Sequence, residues 1–312
     1  MGDPLTFPAE GVTPGRQGEA ITGLGLQAGY LIVLQTDSVG RCTAQDGALH
    51  YTTVNPTVGC DLPRTVKTVE NNLVWCAKSG VRMLKSTTAA MENNVICLSD
   101  KVHGGSRPGL LQALARAETV CAVEDGSRYW VVADGQVWLW DHSLSDWERP
   151  CWFYFTGIEA VDFFRDGTEL YHVDKLGRIT RFVRDYVDYG KGIRKVYRFA
   201  VVDFGSCDRL KTVRRLVVTT RSDTDTLIRL TYETDRQQRV DLTPIRSLSW
   251  RLYPRNLTFR ALRSQRFAHV AVRRPQCRHV QYFGLRLEND EPGADMSIVS
   301  AEVTFTRDRR EK

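Results

Sequence analysis

The chain has 312 residues, 42% hydrophobic and 26% charged. That is enough apolar material for a sizeable core, which excludes a largely disordered protein. No apolar run approaches the roughly 18–20 residues that span a bilayer as a helix, and the net charge of +6 is unevenly spread.

In chain order, residues 1–20 read as an extended N-terminal arm. The opening MGDPLTFPAEG lacks the profile of a signal peptide. Gly2 and Thr6 fit a loose myristoylation pattern, for which Asp3-Pro4 offers a plainer account. From residue 21 to 190 strand signals dominate. GYLIVLQTDSVGRC is an apolar run, a polar turn and a second run. NNLVWCAKSGVRML, SRYWVVADGQVWLW and TELYHVDKLGRITRF repeat that plan. In the third, Asp134-Gly135 is the dipeptide that suits a type I′ hairpin, because both turn residues need positive φ. The hairpins begin at Tyr30, Leu73, Tyr129 and Leu170, spaced about 43, 56 and 41 residues apart. Paired strands at that interval are what the blades of a β-propeller produce. The longest interval contains a helical insertion near 99–118, with Ser99 as N-cap candidate and Pro108 ahead of GLLQALARA.

The third unit carries Trp130, Trp138, Trp140 and Trp147. Period-two alternation puts Trp138 and Trp140 on one strand face and Val137 and Leu139 on the other. The expected role of all four tryptophans is blade-stacking core. A platform for stacking sugars or bases is the sharper alternative.

After residue 190 the strands lengthen and alternate apolar with basic residues, as one buried and one wet face require. Residues 191–312 therefore read as a basic antiparallel β-sandwich, with turns at Asp223–Thr226 and around Glu291-Pro292-Gly293. Between Arg178 and Gln281 there are 24 Lys+Arg against 9 Asp+Glu, and 21 of those bases are arginine. Arginine grips carboxylate or phosphate in a bidentate manner, so an acidic protein or DNA could face this region. Arg214, Arg215, Arg221, Arg273, Arg274 and Arg278 are the candidates for that surface.

Signatures of catalysis and cofactor binding fail in context. GLGLQA, Gly23–Ala28, has dinucleotide-fingerprint spacing but precedes a strand rather than a helix. Asp203-Phe204-Gly205 stands without the other kinase motifs and reads as a strand end entering a turn. Cysteines at 42, 60, 76, 97, 121, 151, 207 and 277 form no C-x-x-C pair and read as reduced thiols in a reducing compartment. Cys277 with His279, and Asp223 with Asp225, are too sparse for a metal site. Asn256 fits a glycosylation pattern that has no meaning in a cytosolic chain. No catalytic residue, metal or cofactor is expected, and the chain is read as a non-enzyme.

Several of these segments, taken in order, resemble virion proteins of tailed bacteriophages. The residues that carry the likeness are Gly59-Cys60, Thr65-Val66, Asn72-Leu73, Ser79-Gly80-Val81 and Leu98-Ser99. RYWVVADGQVWLWDHSLSDW and LYHVDKLGRITRFVRDYVDYGKGIR look like the family's terminal blades. VVDFGSCDRLKTVRRLVV and FGLRLENDEPGADMSIVSAEVTF look like its C-terminal β-region. The likeness runs through most of the chain.

The resemblance implies an all-β chain, a β-propeller-like domain followed by a sandwich. It implies a place in a tail, head–tail connector or baseplate, as a DNA-stabilising plug or tail-nozzle type of component. Its partners would be other virion proteins and its own copies in a homo-oligomeric ring. Non-specific contact with DNA is allowed, no membrane is involved, and the product sits in the virion after assembly in host cytoplasm. A receptor- or carbohydrate-binding propeller at the tail tip is the alternative. Family members carry further blades upstream, so four hairpins imply a small ring or an incomplete one closed by a partner. An open ring leaves a blade face and strand edges that must be covered.

Overall fold

The structure is a computed structural model that describes residues 14, 18–45, 48–87, 94–104, 109–183, 185–206, 208–222, 224–246, 249–253, 258–262, 266–270 and 277–308. It divides into two compact units, Met1–Phe182 and Val183–Lys312, where the sequence pattern changes near 190. Among the described residues strands dominate both, and the one α-helix lies in the first.

The first unit is four consecutive antiparallel meanders. The first sheet holds β1 (Ile21–Gln27), β2 (Tyr30–Gln35), β3 (Val39–Gln45) and β4 (Ala48–Asn55). The second holds β5 (Leu62–Val69), β6 (Asn72–Ala77), β7 (Gly80–Leu84) and β8 (Val95–Cys97). After the 3-10 turn Asp100–Val102 and helix α1 (Leu110–Arg116) comes the third sheet. It comprises β9 (Val120–Glu124), β10 (Arg128–Ala133), β11 (Gly135–Asp141) and β12 (Trp152–Ile158). The fourth has three strands, β13 (Ala160–Asp166), β14 (Glu169–Asp174) and β15 (Ile179–Arg181). Each hairpin legible in the sequence is the second and third strand of one sheet. Asp134 and Gly135 have φ of +43° and +81°, which is the positive pair a type I′ turn needs. GLGLQA runs through β1 into the Ala28-Gly29 turn, so its glycines serve a strand.

The sheets stack face to face. Leu73 and Trp75 of β6 join Ile32, Leu34 and Val54 of the first sheet in one core. The intervening Val74 and Cys76 join Tyr129, Val131, Trp138 and Trp140 of the third sheet in another. On the third sheet's far side, Cys121, Val132 and Val137 pack with Ala160. A strand buried on both faces has no polar positions to alternate with, and hence LVWCA, Leu73–Ala77, is apolar throughout. Strand β1 lies beside β5, β5 beside β9, and β9 beside β13. No comparable contact returns from β13 to β1, so the propeller-like series is open rather than closed.

Helix α1 buries Leu110, Ala113 and Leu114 in the core between the second and third sheets. Ser99 precedes the 3-10 turn but makes no capping hydrogen bond. Its Oγ instead accepts the Val81 N–H at 2.9 Å. Gly109 is the N-cap of α1, and Pro108 lies outside the described residues.

The second unit is an antiparallel sandwich. Its small strands are β16 (Val187–Asp188) and β17 (Lys191–Gly192), followed by β18 (Lys195–Arg198), β19 (Lys211–Thr220) and β20 (Leu227–Thr234). Then come β21 (Val240–Asp241), β22 (Ile245–Arg246), β23 (Ser249–Tyr253), β24 (Thr258–Leu262), β25 (Arg266–Val270), β26 (Phe283–Asn289) and β27 (Ile298–Arg307). One main sheet runs β18-β26-β20-β21 with β22 also on β20, and the other runs β25-β19-β27. Val213, Leu216 and Val218 of β19 meet Ile228, Leu230 and Tyr232 of β20 and Phe283, Leu285 and Leu287 of β26. That shared core makes the two sheets the layers of a sandwich. Asp203-Phe204-Gly205 forms a turn, with Asp203 Oδ1 accepting the Gly205 N–H at 2.9 Å.

Candidate functional site

The most concentrated chemistry of the second unit is the wet face of its β18-β26-β20 sheet. The register pairs Val196 with Glu288 and Arg198 with Arg286 on one side of β26. On the other side it pairs Arg229 with Glu288 and Thr231 with Arg286. Alternation therefore sends Leu285 and Leu287 into the core while Arg286 and Glu288 point out with Arg198, Arg229 and Glu233. Glu288 receives Arg194 at 2.7 Å and Arg286 at 2.8 Å. Arg229 reaches Asp290 at 2.8 Å and Glu288 at 3.7 Å, and Arg198 pairs with Glu233. The Arg194 hydrogen bond holds the Glu288 carboxyl below its ordinary range against the opposing effect of burial. Beside this lattice Arg198, Arg239, Arg286 and Glu233 line a shallow cleft of about 180 Å³. Arginines outnumber carboxylates here, so the face suits an anionic partner rich in planar acceptors.

Sequence reading missed this cluster, because its members come from strands nearly a hundred residues apart in the chain. Arg214 and Arg215 instead lie exposed on β19, in the other sheet. A bulge between Val213 and Arg215 inserts Arg214, which explains two consecutive exposed arginines. Arg214 Nε donates to Thr306 Oγ1 at 3.1 Å. Arg221 is exposed just past the end of β19. Arg278 is exposed near Val280, which bridges to Lys211 at the other end of that strand. Ten strand residues span about 30 Å, so these four are strung out rather than gathered. Arg273 and Arg274 lie outside the described residues.

The four tryptophans have three different settings. Trp138 and Trp140 are buried between the second and third sheets, 3% and 2% exposed. Trp130 faces the opposite way, stacking on Phe155 at 6.1 Å and tilting against Phe182 at 5.5 Å. Trp147 sits half-buried at the rim, where the Lys85 ammonium lies 4.0 Å from its ring centre. A cleft of about 560 Å³ opens beside it, lined among others by Trp140, His142, Glu70 and Asp146. His142 Nδ1 lies 3.1 Å from Glu70 Oε1.

One further cluster escaped sequence reading, though its spacing, Cys97-x-Ser99-Asp100-x-x-His103, was there to be seen. Ser99 Oγ lies 2.8 Å from His103 Nε2, and Cys97 Sγ lies 3.6 Å from the same nitrogen. Asp100 Oδ1 is 3.9 Å from His103 Nδ1. The order Ser–His–Asp resembles an activated nucleophile, and Cys97, Asp100 and His103 could all reach one metal ion. Burial lowers the His103 pKa and raises that of Cys97. Ser99 is itself fully buried and already holds the Val81 N–H, so its hydroxyl has no path to a substrate. The cluster ties the end of β8 to β7.

The other sequence candidates disperse. Cys277 is buried while His279 is half-exposed and paired with Asp308 at 3.0 Å. Asp225 pairs with Arg246 at 3.0 Å, and Asp223 and Asn256 lie outside the described residues. No protein-family model matches the chain, and no curated protein matches it.

Proposed function

We propose that this chain is a non-enzymatic structural component of a tailed-phage particle, placed in the tail, head–tail connector or baseplate and acting through subunit contacts. The observation that carries the reading is the open stack of meander sheets, whose end sheets expose Leu24, Leu26 and Leu31 at one end and Phe164 and Ile179 at the other. A binding protein with a single pocket has no need of such faces, whereas an assembling component does. The family resemblance of the sequence supplies the kind of assembly. The arginine lattice of the second unit supplies a surface for an acidic neighbour or for DNA. Electron microscopy of phage particles carrying a labelled copy tests this: density for the label at a fixed place on the tail axis is expected. Particles that never contain the chain would overturn it. If DNA is the partner of the arginine face, affinity falls steeply with salt and ignores base sequence.

A second reading, a carbohydrate-binding module at the tail tip, draws on the cleft beside Trp147, which joins an aromatic edge to His142, Glu70 and Asp146. Trp147→Ala abolishing adhesion to host cell-wall glycans, with particle assembly intact, would favour it.

A further inference from the structure

We infer that the two end faces of the first unit are mates, and that their occupant is a second copy of this chain bound head to tail. The inference rests on the reading of the chain as an assembling component and names the partner of its open ends. Three times within the chain, one sheet lays its far face on the near face of the next, with first strand beside first strand. Among the described residues, no further sheet of the first unit lies on one near face and one far face at the ends of the series.

The near face belongs to the first sheet; at one end of it Val33 and Gln35 are buried, with Gln35 Nε2 donating to the Pro14 carbonyl at 3.1 Å, and its other end is exposed. Gly25 approaches Leu73 of the second sheet so closely that an added Cβ would fall 2.5 Å from Leu73 Cδ2. The even-numbered Leu24 and Leu26 therefore point the other way, and they are 59% and 69% exposed. The register adds Leu31 of β2 and Leu49 of β4 to this side, both exposed. No charged residue occupies that face on any of the four strands.

The far face belongs to the fourth sheet. Phe163 and His172 turn inward against Phe182, so Phe164, Tyr171 and Ile179 turn outward. Phe164 and Tyr171 stack with centroids 5.0 Å apart and rings 5° from parallel. Ile179 is 64% exposed. Glu169 and Arg181 on this face neutralise one another at 3.0 Å, and the remaining acids, Asp162 and Asp166, lie on β13. A contact between unlike faces repeats until it closes a ring or runs on as a filament. A second copy supplies both missing mates at once, which an unrelated partner does not.

The test uses full-length protein bearing Leu26→Glu or Ile179→Glu, both at exposed positions, with melting curves to verify folding. Sedimentation over a concentration series should show wild type associating and each variant alone at least tenfold weaker. An equimolar mixture of the two should recover a dimer, because one variant keeps a sound near face and the other a sound far face. A wild type that stays monomeric overturns the inference, as does a single variant that still associates or a mixture that does not. A photo-crosslinker at Leu26 should capture peptides from β13–β15 of another copy; capture of residues 1–20 of its own chain would also overturn it. Association in solution by a chain absent from particles would sink the virion reading alone. A monomer that is found in particles would sink this inference alone.

Discussion

Trp75 is fully buried in the core between the first and second sheets, and its indole N–H donates to the Gly59 carbonyl at 2.8 Å. Replacing it with alanine should cost about 3–5 kcal/mol in chemical denaturation, since removing a large core ring leaves a cavity. Trp75→Phe keeps most of the packing and should cost less, although the Gly59 carbonyl loses its donor. Tyr129 is the counterpart in the next core. Its hydroxyl donates to the Thr65 carbonyl at 2.7 Å, so Tyr129→Phe should cost about 1–2 kcal/mol. The thiols sort in the same way. Burial pushes Cys60 up to about 11 and Cys76 and Cys121 up to about 12. These three should resist alkylation in native protein, while the partly exposed Cys42, Cys97 and Cys151 react first, as mass spectrometry of labelled peptides can establish.

Strands and turns differ in how plainly the sequence announces them. The inner hairpins were legible because β6-β7 and β10-β11 bury both faces and end on tight polar turns. The flanking strands were not, since β5, LPRTVKTV, mixes exposed and buried positions without a clean period. The Glu70-Asn71 turn, with φ of +47° and +66°, lacks the glycine that marks Asp134-Gly135. The crossing from the first sheet to the second depends on Gly59. A Cβ there would meet the carbonyl oxygens of Gln35 and Thr36 at 2.3 Å, and the next residue's N–H bonds to that same Gln35 oxygen at 2.8 Å. Backbone cannot give way as a flexible side chain can. Gly59→Ala should therefore destabilise by at least about 3 kcal/mol, above the usual range for overpacking, as read from thermal and denaturant melts.

At the scale of the molecule, ionisation ties stability to pH in one direction. The Arg178 backbone N–H holds the Asp174 carboxyl below its ordinary range; Arg229 does so for Asp290, and Arg194 for Glu288. A depressed carboxylate lends stability that is complete above its unfolded value, about 3.9 for Asp and 4.3 for Glu. That stability is lost as pH falls through the lower folded value. The melting temperature should thus hold near neutrality and drop below about pH 4, and Glu288→Gln should flatten the part of the fall that comes from the second unit.

The arginines show why a site is harder to read than a fold. Composition revealed an arginine-rich half, but Arg194, Arg229 and Arg286 meet only through the pairing of β18, β26 and β20. No local pattern encodes that long-range register. Arg214 and Arg215, adjacent in sequence, instead owe their shared exposure to a bulge in another sheet.

The first sheet's outer face has no charge for a distant field to pull on. Encounters there proceed by diffusion and desolvation alone, at the roughly 10⁵–10⁶ M⁻¹s⁻¹ of unsteered docking, and added electrolyte should scarcely alter that rate. An approach to the arginine lattice would begin under attraction and slow as ions shield it. Stopped-flow mixing at two ionic strengths therefore tells which of the two surfaces a given neighbour meets first.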